Sequence, residues 1–83
     1  MTADEFNEKY KDYLVRDHYG LDIQDKAVVE YLDKEFQKFI QVKGFLYYQI
    51  KLKYGSCRFY CEGLSSVEVL RVEENVNYII RTT

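Results

Sequence analysis

Residues 46–62 read LYYQIKLKYGSCRFYCE. Two runs alternate apolar and polar side chains around Gly55-Ser56. A period of two marks a half-buried strand, and Gly first in a two-residue loop marks a hairpin turn. The stretch therefore predicts a β-hairpin over about 46–54 and 57–62. Pairing about that turn sets Lys53 opposite Arg58, Leu52 opposite Phe59, Lys51 opposite Tyr60 and Gln49 opposite Glu62. One side then carries Leu46, Tyr48, Ile50, Leu52, Phe59 and Cys61, and helices are expected to cover it. The other side carries Tyr47, Lys51, Lys53, Arg58 and Tyr60.

Upstream of the hairpin the period is helical. Thr2 and Glu5 have capping-box spacing, and Phe6, Tyr10, Tyr13 and Leu14 follow as one apolar stripe. Gly20 is read as the left-handed cap that ends this first helix. Asp22 or Asp25 caps a second helix, with Val28, Val29, Leu32, Phe36, Phe39 and Ile40 on its inner face and Gly44 at its end. Downstream, Ser65 and Glu68 repeat the capping spacing. Residues 66–82 also alternate in places and would pass as further strands, but the charged run Arg71 to Asn75 favours a helix. The expected fold is α+β: two N-terminal helices, a hairpin, and a C-terminal helix, with the helices on one face of the hairpin. Eighty-three residues are expected to form a single domain, 1–83.

Composition narrows the function. There is no Pro and there are four Gly, so no flexible linker is visible. The longest uncharged stretch, Gly44 to Ile50, is far short of a membrane span, and MTADEF lacks the form of a signal peptide. A cytoplasmic location is expected. Cys57 and Cys61 lie four apart in one strand, roughly 13 Å, too far for a disulfide, and read as small buried thiols. No glycine-rich phosphate loop or dinucleotide fingerprint is present, nor a nucleophile motif. His18 reads as a helix-end charge, and the paired acids as caps and solvated faces. A binder without catalysis or cofactor is expected.

Charge is distributed unevenly. Residues 1–37 hold ten acids and five bases, whereas Lys38, Lys43, Lys51, Lys53 and Arg58 lie in a stretch, 38–61, with no acid. Like charges facing across a strand pair cost a few tenths of a kcal/mol to about 1 kcal/mol, and an anion over the face turns that repulsion into attraction. Arg offers a planar fork and Lys a point charge, which suits phosphate. Nearby tyrosines can stack on a base. The candidate ligand-binding residues are Lys51, Lys53, Arg58, Tyr60 and Tyr47. The alternatives are an acidic protein surface, or acids of the chain itself folded over the face. A pI near 5.3 and three clustered cations argue against long nucleic acid. Nine Tyr exceed what so small a core holds, so some reach the surface and suit an interface. A homodimer, formed by extending the sheet or packing those tyrosines, is expected.

The run from Gln49 to Tyr60 resembles a pattern found in small proteins of bacteriophages and prophages. That pattern is Val or Ile, Lys, any residue, Lys, Phe or Tyr, Gly, two variable positions, then Arg-Phe-Tyr. It is met here by Ile50, Lys51, Lys53, Tyr54, Gly55, Arg58, Phe59 and Tyr60. Such proteins usually continue into a short acidic helix, here Ser65 to Ile80. Many then carry a Cys-x-x-Cys-Gly-like tail, which the sequence after Ile80 does not resemble, so no metal role carries over. The resemblance implies a phage origin, hence action in the host cytoplasm, and supports the helical reading of the C-terminus. The expected function is stoichiometric counter-defence. It would sequester a nucleotide-like anion or block a host immune protein. The alternative is a structural or assembly module of a phage.

Overall fold

A computed structural model describes all 83 residues. The chain runs α1 (Ala3–Lys9), a 3-10 turn (Lys11–Tyr13), β1 (Gly20–Asp22), α2 (Lys26–Phe39), β2 (Leu46–Lys53), β3 (Ser56–Glu62) and α3 (Ser66–Thr82). The fold is α+β, as expected, but the sheet has three strands in the order β1-β2-β3. β1 pairs parallel to β2, and β2 pairs antiparallel to β3. Parallel neighbours need a crossover, and α2 provides it.

The first helix is shorter than its stripe implied. The Thr2 capping box forms with Glu5, but α-helical geometry stops at Lys9 and only the 3-10 turn follows. Leu14 instead makes an isolated bridge to Tyr47. Gly20 does not cap a helix; it opens β1, with φ of 72°. A Cβ there would collide with the Asn7 side chain, so glycine serves both the left-handed backbone and the close approach. Asp25 caps α2 by accepting from Val28 N–H, and Ser65 caps α3 by accepting from Glu68 N–H.

The core is an aromatic cluster around Phe36. Its ring centroid lies 4.8 Å from Phe6, 5.1 Å from Tyr10, 5.2 Å from Phe45, 4.9 Å from Tyr47 and 6.0 Å from Phe59. Val28, Val29, Leu32, Ile50, Val72 and Val76 complete it. Truncating a ring at such a position usually costs about 3–5 kcal/mol.

Two polar connections join the layers. Glu35 on α2 is 5% exposed and takes a bidentate pair from Arg71 of α3, at 2.8 and 3.2 Å. Arg71 also donates to Glu68 at 2.8 Å. Hydrogen bonding from Arg71 outweighs burial and holds the Glu35 carboxyl below the usual carboxylate range. On α1, Asn7 bridges the outer edge of β1. Its Oδ1 accepts from Leu21 N–H at 2.8 Å, and its Nδ2 donates to Leu21 C=O at 3.0 Å. The Tyr47 hydroxyl donates to the same Oδ1 at 3.1 Å.

The opposite edge is closed by the same device. The Cys57 N–H donates to Asn77 Oδ1 at 2.7 Å, and the Phe59 N–H donates to Glu73 Oε2 at 2.9 Å. The spacings match, because residues i and i+4 share a helix face while i and i+2 share a strand edge. Side chains of α1 and α3 thus occupy backbone groups on both outer strands. At Leu21, Cys57 and Phe59 the groups that a sheet-extending homodimer would use are already taken.

Candidate anion-binding face

The three helices contribute to the core side of the sheet and to its two edges. Strand alternation turns Gln49, Lys51 and Lys53 of β2 the other way, with Arg58 and Tyr60 of β3 beside them. The register differs from the expected one. Lys51 faces Arg58, Lys53 faces Ser56, Gln49 faces Tyr60, Ile50 faces Phe59 and Leu52 faces Cys57. The turn is Tyr54-Gly55, both left-handed at φ 54° and 76°, rather than Gly55-Ser56. Two left-handed central residues give a turn whose twist matches the flanking strands. From Gln49 to Lys53 each β2 residue meets a partner two places from the expected one, so these side chains stay on the expected faces. The like-charge conflict persists, but between Lys51 and Arg58 instead of Lys53 and Arg58.

Tyr47 is not part of this face. A bulge at Tyr48 breaks the register between Tyr47 and Gln49 and turns Tyr47 inward, where it is fully buried. The physical reason is its packing on Phe36 and the hydroxyl bond to Asn7. Tyr48 takes the outward place, with its ring edge-on to His18 at 4.8 Å.

Asp22 of β1 stands beside Lys51 in the parallel register. The row across the sheet is therefore Asp22, Lys51, Arg58. The five ion pairs of the molecule use Lys9, Lys11, Lys38 and Arg71 and no hairpin cation. Lys51, Lys53 and Arg58 have no carboxylate within 4.0 Å. Glu73 of α3, one of the chain's own acids, binds the β3 edge rather than these cations.

An open groove of about 1100 Å³ runs from this face over β3 to the first half of α3. His18, Tyr48, Lys51 and Tyr60 line one side, and Leu64, Val69 and Leu70 the other; the carboxylates of Glu62 and Glu73 also belong to its lining. Of the expected site residues, Lys51 and Tyr60 enter the groove. Lys53 and Arg58 lie next to it toward the turn. Sequence reasoning missed Tyr48, His18 and Leu70. The alternation that placed Tyr48 inward is broken by the bulge, and the groove depends on where α3 lies.

Burial pushes the Cys61 thiol up to about 11 and Cys57 up to about 12, so neither is a thiolate near neutrality. A hydrogen bond to Glu62 raises the Tyr48 hydroxyl. No three His, Cys, Asp or Glu side chains gather as a metal site requires. No helix is long and apolar enough to cross a membrane. No protein-family model, curated protein or solved structure matches the chain.

Proposed function

We propose that the protein is a small phage-type binding protein that acts without catalysis and sequesters a nucleotide-like anion on the outer face of its sheet, as a counter-defence agent in the host cytoplasm. The observation that carries the reading is the set of three unpaired cations, Lys51, Lys53 and Arg58, beside a groove with two tyrosines in its lining. Pockets for small ligands combine apolar walls with a few polar groups that fix orientation, and this groove has that make-up. Phosphates bind the cations, and a base lies against Tyr60 or Tyr48. The counter-defence role rests on the phage-like motif around these same residues.

The test is calorimetry and thermal melting with a panel of linear and cyclic nucleotides. A ligand at a hundredfold excess over its dissociation constant stabilises by about 2.7 kcal/mol. For a domain of this size that is about 10–20 °C. Lys51→Ala or Arg58→Ala removes a charge-assisted contact and weakens binding by about tenfold to a hundredfold. If no member of the panel binds at millimolar concentration, the reading fails. One observation favours a protein partner as the second reading. Val67, Leu70 and Tyr78 lie exposed along one side of α3 with Glu74 among them, a largely apolar surface that a blocked host immune protein would cover.

A further inference from the structure

The hairpin turn holds a residue that its backbone does not favour. Asn, Asp or Gly fills the first left-handed position of such a turn at least cost. Tyrosine is strained there by its own Cβ. The fold gains little in return, because the Tyr54 ring is 92% exposed. What the ring does reach is the cation row: Lys53 Nζ lies 5.8 Å from its centroid. Lys53, paired with Ser56, stands on the same face as Lys51 and Arg58.

Tyr54 therefore closes one end of that row, and Tyr60, 46% exposed and opposite Gln49, closes the other. From Ser56 to Tyr60 the strand rises about 13 Å. One nucleotide stacked on either ring does not reach the other. Two bases joined through phosphate do, with their linkage over the cations between.

We propose that Tyr54 is a base-stacking residue and that the ligand class is a dinucleotide. One base lies on Tyr60, the other on Tyr54, and the linking phosphates sit over Lys51, Lys53 and Arg58. This rests on the anion-binding reading above and names the ligand of the same face.

Calorimetry with adenosine monophosphate, the linear dinucleotide of adenosine and its cyclic counterpart tests it on wild type, Tyr54→Asn and Tyr54→Phe. Wild type should bind at least one dinucleotide about tenfold to a hundredfold tighter than the mononucleotide, the worth of one stacked base. Tyr54→Asn should abolish that advantage and raise the melting temperature by about 4–16 °C as strain is relieved. Tyr54→Phe should retain the advantage. Equal affinity for mono- and dinucleotides, unmoved by Tyr54→Asn, overturns the inference and leaves anion binding standing. A lower melting temperature in Tyr54→Asn overturns it too, because the ring would then support the fold. Absence of binding by all three probes overturns both readings.

Discussion

The clasp of α3 on the edge of β3 makes a sharp prediction. Asn77→Ala removes the acceptor of the Cys57 N–H, and Glu73→Ala removes that of the Phe59 N–H. Cys57 and Phe59 are buried, whereas Asn77 and Glu73 are half-buried. Leaving a buried donor unsatisfied costs about 1–3 kcal/mol, and bonds to charged acceptors contribute about 1.5–3 kcal/mol. Water can enter where an exposed part of a side chain is lost, so the lower half of each range applies. The expected losses are about 1–1.5 kcal/mol for Asn77→Ala and about 1.5–2 kcal/mol for Glu73→Ala. Glu73→Gln keeps an oxygen in place and should lose about half as much, since charge assistance roughly doubles such a bond. The double variant should lose about 3 kcal/mol, a large fraction of the roughly 4–12 kcal/mol typical of a domain this size.

Urea denaturation at constant m-value measures the stability loss. Native-state amide exchange at Cys57 and Phe59 locates it. Each single substitution should speed exchange at its own amide more than at the other. The double variant also exposes an unpaired strand edge, which favours edge-to-edge association, so its sedimentation should become concentration-dependent. The clasp is refuted if exchange at both amides is unchanged by loss of both acceptors. It is equally refuted if Glu73→Gln costs as much as Glu73→Ala.

Asn7→Ala loses two bonds to Leu21 and one from Tyr47, and should cost about 2–3 kcal/mol at roughly 1 kcal/mol per bond. Asn7→Asp, which keeps the acceptor but not the donor, should cost less, as read from urea midpoints. Glu35 and Asp33 both have carboxyls held below their ordinary range in the fold. For Glu35 the main cause is hydrogen bonding from Arg71; for Asp33, burial is outweighed by bonds from Lys9 and Tyr10. Their stabilisation is full above the unfolded carboxylate values of about 4 and is lost as pH falls through the lower folded values. Urea midpoints should therefore drop below about pH 4.5, and Glu35→Gln should flatten part of that slope. With thiols pushed up to about 12 and about 11, Cys57 and Cys61 should resist a thiol reagent at pH 7 and react only when urea unfolds the chain.

What the sequence made legible was whatever a local pattern encodes. The stripe Val28 to Phe39 and the Asp25 cap specify α2 within one window of residues. Period-two alternation places Lys51, Lys53, Arg58 and Tyr60 on one face whichever turn joins the strands, since moving the turn here shifted each pairing by an even number. β1 escaped because three residues make a weak signal and its partner, Ile50, lies far along the chain from Leu21. Gly20 after a helical stripe imitates a helix cap, although Gly20-Leu21-Asp22-Ile23 already alternates. The Tyr48 bulge escaped for a tertiary reason. Alternation would have put Tyr48 into the core and Tyr47 out, but Phe36 and Asn7 accommodate Tyr47. Packing of a ring thus overrode the strand period.

Three departures from local rules meet on the outer face of the sheet. In the interior every buried side-chain polar atom has a partner, and on the outer strands helical side chains take backbone groups at both edges. The outer face is different. It sets Lys51 against Arg58, leaves three cations outside any ion pair, and keeps a tyrosine in a left-handed turn where asparagine would be relaxed. The charge conflict costs up to about 1 kcal/mol and the strained turn about 1–2 kcal/mol, out of a stability on the order of 10 kcal/mol. Surface positions are free to change, so a core this well satisfied gives no reason to keep such costs. Local rules broken without a gain to the fold often mark a functional site. The charge conflict falls on Lys51 and Arg58, with Lys53 beside them, and an anion bridging the three would turn it into attraction, whereas the strain at Tyr54 would be offset by a base stacked on its ring.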